Sequence, residues 1–335
     1  MKRNLQRIKW LFIQAIKIML ALGLVWWMIA SDKLDVKSVA LFFKEPAMPF
    51  IQLFVWSVCV LLGALRWQLL LVGVEISISF IKTIKYQMIG LFFNTAMPGA
   101  VGGDVVKAIY IARDVDKGRG YSNSFVSILM DRIIGFASIM LFGAIVILID
   151  FKRIMVFEKL RIVVVATLVL FVIMSIFLAL VFLGPSIKSE GVIHKLLQQP
   201  GLNKLKNPLE AMARYRQVKS YFIYAMILSI VVQGLIMGLF WYLGNELGLA
   251  AIPLRDLIII YPIGMLFTAI PLAPGGLGVG HVAFEKLFSM VGVAGGANVF
   301  NLFFVSQVIL NLVGFFPFIL NRVKIYPNSI IQDQS

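Results

Sequence analysis

A single cysteine, Cys59, and two histidines, His194 and His281, are the only thiol and imidazole side chains in 335 residues. That scarcity excludes an intrachain disulfide, a thiolate zinc site and an iron–sulfur cluster, and it argues against a histidine-based metal site. Charge is scarce as well. Only 14% of residues are Asp, Glu, Lys or Arg, against about 25% in ordinary soluble domains. Acids are the scarcer sign, 16 against 31 bases, for a formal net charge of +15. In a soluble protein that excess would suggest nucleic acid as a partner. Here no basic, aromatic-interleaved stretch outside the apolar runs is long enough to form a binding domain, so no nucleic-acid partner is expected. What is abundant is apolar: 60% of residues, against about 45–50% in soluble domains. Such a chain needs lipid as part of its solvent. The expected fold class is an all-α polytopic membrane bundle.

About twenty apolar residues span a bilayer as helix. Leu11–Ala30 is the first such run, read as a retained span because no small-residue cleavage site follows it. Ala47–Leu65 is the second, with Arg66-Trp67 as an interfacial anchor at its end. Phe125–Ile149, Val163–Leu183, Phe222–Leu243 and Val299–Leu320 follow. The buried-looking Cys59 reads as a packing residue. The longest polar stretch, Pro185–Lys219, reads as a basic connector touching anionic headgroups, and no soluble domain is expected.

Two apolar stretches are interrupted. Tyr86–Tyr110 is broken by Met97-Pro98-Gly99 and Gly102-Gly103; Leu257–Met290 is broken by Pro271, Pro274, Gly275, Gly276, Gly278 and Gly280. Proline inside a helix removes a donor and clashes with the preceding turn, at about 3 kcal/mol. Irregular backbone at membrane depth must face protein or a water-filled cavity. The breaks resemble each other. Thr95–Gly103 and Thr268–Gly276 share the frame T-A-x-P-x-A-x-G-G, six identities in nine positions. Each break follows two spans and precedes one, so the chain divides near residue 160 into halves of one plan, within a single membrane domain.

Basic residues favour the cytoplasmic side. If both broken segments are re-entrant hairpins, Lys and Arg concentrate in 1–10, 66–85, 107–121, 184–221 and the C-terminal tail, which places both termini in the cytoplasm. The two hairpins then enter from opposite faces, the inverted-repeat plan of many transporters. If the broken segments cross fully, that assignment changes.

Several residues near the breaks can carry chemistry. Pro274–Gly280 is glycine-rich but lacks the G-K-[ST] ending of a phosphate loop, so no nucleotide cofactor is expected. Its glycines either let N–H groups converge on an anionic oxygen or only allow close helix packing. Asp104 stands where a helix restarts, as an N-cap or as a buried functional acid. Lys107, one turn on, can pair with it, hold a phosphate or snorkel to the cytoplasmic face. Asp131 and Arg132 are adjacent, so on a helix they cannot simply face each other. His281 and Glu285 share a face at i and i+4, as a titrating pair or as capping groups.

The motifs N-T-A-M-P-G-A-V-G-G-D-V-V-K (Asn94–Lys107), Asp131-Arg132 and P-L-A-P-G-G-L-G-V (Pro271–Val279) resemble the lysylphosphatidylglycerol synthase transmembrane family, also called flippase-like. The resemblance covers nearly the whole chain. It implies a bacterial or archaeal cytoplasmic-membrane protein related to the membrane half of the lysyl-lipid synthase, which moves aminoacylated phosphatidylglycerol between leaflets. Family members commonly carry an acid just after P-G-G-x-G-V-x; here that position is His281, with Glu285 one turn later. The family's headgroup charge preference therefore does not carry over directly. No loop has room for an aminoacyltransferase domain.

The candidate substrate-binding set is Asn94, Pro98, Gly102, Gly103, Asp104, Lys107, Asp131, Arg132, Pro274, Gly275, Gly276, Gly278, His281 and Glu285. The leading expectation is a translocator of polar-headgroup lipids, such as aminoacylated phosphatidylglycerol or a lipid-linked sugar. A membrane-embedded headgroup transferase, or its noncatalytic subunit, is the alternative. Membrane phospholipids are the expected partners, with a separate lipid-modifying transferase as a further candidate.

Overall fold

The computed structural model describes residues 43, 47–96, 102–115, 120–152, 158–183, 206–246, 248, 251–269 and 278–320. Most of these are helical, with no strand among them. The helices are α1 (Ala47–Gly73), α2 (Phe80–Ala96), α3 (Gly102–Asp114), α4 (Gly120–Ile149), α5 (Arg161–Leu183), α6 (Lys206–Arg214), α7 (Lys219–Glu246), α8 (Leu254–Ala269), α9 (Val279–Met290), α10 (Gly296–Leu312) and α11 (Phe315–Leu320). Among the described residues, five stretches are long and apolar enough to cross a membrane: α1, α4, α5, α7, and α10 continued through α11. The expected span Leu11–Ala30, the prolines Pro98 and Pro274, and Gly275 and Gly276 lie outside the described residues.

Apolar faces turned outward identify the lipid side. On α5, Val165, Val169, Ile173, Ile176 and Leu180 recur three or four residues apart and are all at least half exposed. That spacing is one helical face, and it carries no charge to be desolvated. The inward faces form two aromatic cores. One gathers Phe240, Tyr261, Phe284, Phe288, Phe300 and Phe303 around α8 and α9; the other gathers Trp67, Tyr86, Phe92, Phe93 and Phe318 around α2 and α3.

Both broken segments double back. Tyr86 and Tyr110 have ring centroids 5.3 Å apart, the Tyr86 hydroxyl donates to Asp114 at 2.7 Å, and the Gly103 N–H donates to Asn94 Oδ1 at 2.8 Å. The paired residues lie at nearly equal steps either side of positions 98–100. A straight helix would hold residues 86 and 110 about 36 Å apart at 1.5 Å per residue. α2 and α3 are therefore antiparallel arms of a hairpin. In α8 and α9, a β-carbon on Gly264 would stand 2.6 Å from the Phe284 ring, and those two positions are equidistant from 274. This is a second hairpin.

Relative direction follows from pairwise contacts. α2 runs back along α1, with Gly63 facing Gln87 and Gln68 donating to the Ile78 carbonyl at 3.0 Å. α10 runs against α2, because Asn311 meets Thr95 while Gly314 meets Met88. α9 runs against α10, since Gly280 meets Phe300 and Phe288 meets Gly296. With α8 antiparallel to α9, α8 and α2 point in opposite directions, so the hairpins enter the bundle from opposite ends.

Three elements depart from the sequence expectation. α1 does not end at Leu65 but continues to Gly73, which puts Arg66 and Trp67 inside the bundle rather than at an interface. Trp67 is fully buried, and Arg66 is kept by a carboxylate partner that lies 65 residues away in sequence. The last span bends at Val313-Gly314, where α10 passes into α11. A side chain on Gly314 would overlap the Met88 carbonyl oxygen, so the turn is set by backbone contact with α2. The polar connector is not wholly a solvated loop: α6 packs on α4, and the turn after it packs on α1, with the buried Tyr215 hydroxyl donating to the Leu70 carbonyl at 2.8 Å.

Candidate functional site

Adjacent residues on a helix point about 100° apart, and α4 uses that divergence at Asp131-Arg132. Asp131 Oδ1 accepts a hydrogen bond from Arg66 Nε of α1 at 2.7 Å, and both side chains are largely buried. Arg66 Nη1 also donates to Ser229 Oγ of α7 at 2.8 Å. Ser229 and Ser138 hydroxyls are 2.6 Å apart, and Ser138 donates to the Ile134 carbonyl at 2.7 Å. Arg132 turns the other way and donates through Nε to Asp104 in the first turn of α3. Charged pairs that are both buried and hydrogen-bonded hold elements together even where their net worth is small, because losing one partner strands the other.

Lys107 completes the cluster. It is 4% exposed, and its ammonium sits 3.9 Å from the centre of the Trp67 ring. It is buried rather than snorkelling. Two glycines make the geometry possible. A β-carbon on Gly103 would overlap the Gly90 carbonyl oxygen, and one on Gly90 would lie 2.5 Å from Lys107 Cδ. With neither present, the hairpin arms touch backbone to backbone and the lysine stem passes between them to reach the indole. Asn94 fixes the tip side of the same contact by accepting the Gly103 N–H.

The cluster opens into a cavity of 370 Å³. A smaller pouch of 150 Å³, lined by Asp104 and Lys107, shares Gln87, Asn94, Asp131 and Arg132 with it. Residues from both hairpins line the larger cavity: Asn94 and Thr95 from the first, Met265 and Thr268 from the second. Thr95 and Thr268 are the first residues of the two repeated nonapeptides. Thr95 is bonded by Asn311 Nδ2 at 2.7 Å, and Thr268 donates to the Met265 carbonyl at 2.7 Å. The buried carbonyl oxygens of the Gln87 and Gln233 side chains have no hydrogen-bond partner in the structure. A buried unpaired acceptor costs about 1–3 kcal/mol, so such groups at a cavity wall are suited to a ligand donor.

The sequence-derived set therefore divides. Asn94, Asp104, Lys107, Asp131 and Arg132 converge on the connected cavities, and Gly103 packs against them. Gly102 opens α3 beside them. His281 and Glu285 stand elsewhere. His281 Nδ1 accepts the Gly278 N–H at 3.4 Å, and its ring meets Phe300 edge-on. Glu285 accepts the Ala297 N–H at 2.9 Å, capping the start of α10. Gly278, His281 and Glu285 are not among the residues lining either cavity. Gly278 has φ 78°, which suits a glycine ahead of α9. Sequence reasoning missed Arg66, Trp67, Gln87, Thr95, Gln233 and Thr268. The two threonines carried a signal, since they head the repeated frame. Arg66 and Trp67 imitate an interfacial anchor.

Comparison with known proteins agrees with the membrane bundle. The family described as lysylphosphatidylglycerol synthase TM region matches residues 14–314 of this chain. A UPF0104 membrane protein of Pyrococcus horikoshii is 25% identical over 302 residues, covering 83% of this chain and 86% of that one. A UPF0104 membrane protein of Methanothermobacter thermautotrophicus is 24% identical over 268 residues, covering 71% and 72% respectively. The chain belongs to the lysylphosphatidylglycerol synthase TM family and is a multi-pass integral membrane protein of a prokaryotic family.

Proposed function

We propose that this member of the lysylphosphatidylglycerol synthase TM family translocates polar-headgroup lipids between the leaflets of the cytoplasmic membrane. One observation carries the reading: a single cavity is lined by both oppositely directed hairpins and by a buried charge cluster. Inverted-repeat transporters place their substrate sites between broken helices in this way, and the repeated T-A-x-P-x-A-x-G-G frame supports reading the chain as two such halves. The headgroup would occupy the cavity while the acyl chains stay in lipid. Arg132 and Lys107 would attract the phosphate. Asp104 would hold Arg132 in place, and Asp131 would hold Arg66. Both termini would lie in the cytoplasm.

The transferase reading needs an acid–base group beside the substrate. Of its two candidates, His281 is engaged by Gly278 away from the cavity lining, and Asp104, in the smaller pouch, is bonded by Arg132, so this reading has less support. Reconstitution in liposomes tests the proposal. Fluorescently headgroup-varied lipids in the inner leaflet should become accessible to a membrane-impermeant quencher faster than in protein-free vesicles. Equal rates across all headgroups tried would remove the translocator reading.

A further inference from the structure

The connected cavities have two chemically different ends. At one end stand three cations, Arg66, Lys107 and Arg132, and two carboxylates, Asp104 and Asp131. Each carboxylate is bonded by an arginine, and Lys107 rests on the Trp67 ring rather than on a carboxylate. With all five groups ionised, this end carries one positive charge in excess. It complements a single negative charge, and a phosphodiester supplies one in a form that accepts hydrogen bonds from guanidinium and ammonium groups.

Away from these charges the larger cavity is lined by apolar side chains and by a few uncharged polar ones. Gln233 lies one turn beyond Ser229 on α7 and is 8% exposed. It is joined by Thr268, Gln307 and Asn311, all amides or hydroxyls. The unpaired carbonyl oxygens of Gln87 and Gln233 call for donors on the ligand. Hydroxyl groups supply such donors without charge. An ammonium would supply them too, but would add a like charge to an already positive cluster whose carboxylates are both engaged.

Resting on the translocator reading, we infer that the cavity selects lipids with an anionic phosphodiester and a neutral polyol or sugar headgroup, and discriminates against aminoacylated or amine headgroups. The phosphodiester sits against Lys107 and Arg132. The hydroxyls reach Gln87 and Gln233.

The test is lipid binding to the purified full chain by native mass spectrometry, with exchange in liposomes measured in parallel. The probes are phosphatidylglycerol, phosphatidylinositol, phosphatidic acid, phosphatidylethanolamine and lysyl-phosphatidylglycerol, with soluble glycerol phosphate as competitor. Phosphatidylglycerol and phosphatidylinositol should bind at least tenfold more tightly than phosphatidylethanolamine and lysyl-phosphatidylglycerol. Phosphatidic acid, which lacks the polyol, should fall between. Lys107→Gln should weaken the anionic lipids about tenfold. Gln233→Met should bring phosphatidylglycerol to the level of phosphatidic acid while leaving the latter unchanged. Soluble glycerol phosphate should not displace bound lipid at equal concentration; displacement would assign the site to a soluble ligand and overturn the inference. So would phosphatidylethanolamine or lysyl-phosphatidylglycerol binding as tightly as phosphatidylglycerol. Exchange without this ranking overturns the headgroup inference alone. The ranking without exchange overturns the translocator reading alone.

Discussion

Removing the Asp131 carboxylate is expected to damage stability more than removing the whole ion pair. In Asp131→Ala, Arg66 keeps its bond to Ser229 but loses the carboxylate that accepts its Nε hydrogen bond at 2.7 Å, with its side chain 12% exposed. Stranding a buried charge costs about 3–5 kcal/mol, whereas replacing both partners by apolar groups of similar volume is often neutral or stabilising by about 1–4 kcal/mol. The double variant Arg66→Met/Asp131→Leu should therefore be at least about 3 kcal/mol more stable than Asp131→Ala. Reversible unfolding in mixed micelles, followed by loss of helicity, measures the difference. The same double variant removes one cation and one carboxylate from the cavity while leaving Lys107 and Arg132. It should fold, and its lipid exchange should fall. An Asp131→Ala protein as stable as the parent would refute the buried-pair argument. A stable double variant with undiminished exchange would refute the assignment of this cluster to the headgroup site.

Hairpin geometry predicts that cysteines at Tyr86→Cys and Tyr110→Cys, in a Cys59→Ala background, are joined by a short bifunctional maleimide; a mass shift after proteolysis reads the link, and positions about 36 Å apart on a straight helix could not react. Gly238→Ala should stabilise the protein by about 0.5–1 kcal/mol, because the added methyl meets nothing within 4 Å and alanine favours helix. Gly103→Ala should destabilise it by about 1–3 kcal/mol, since the hairpin arms must separate; both are read by the same unfolding measurement. For orientation, a cysteine at Lys82 should react with an impermeant maleimide only in inside-out vesicles, and one at Lys152 only in right-side-out vesicles. The reverse pattern would invert the topology proposed above.

The helical class and five of the spans were legible because a run of apolar residues long enough for a bilayer has few other uses. The hairpins were legible because Pro98 and Pro274 sit in runs too apolar to be loops. The partners of the charged residues were not. Asp131 and Arg66 are 65 residues apart, and Arg132 and Asp104 are 28 apart, on helices whose rotation no local pattern fixes. Arg66-Trp67 misled because a basic–aromatic pair after an apolar run has the composition of an interface anchor; only the tertiary partner distinguishes the two. Glu285 and His281 misled in the other direction. Their proximity to the second break suggested the cavity, whereas their side chains satisfy helix-end N–H groups.

The fork at Asp131-Arg132 makes α4 a linchpin. One tine reaches α1 and, through Arg66, α7, and its neighbour latches the first hairpin through Asp104. The hairpin cannot tilt from α4 without opening that latch. An anion competing for Arg132 would ease the opening, so on the translocator reading proposed above headgroup and hairpin would share a single guanidinium.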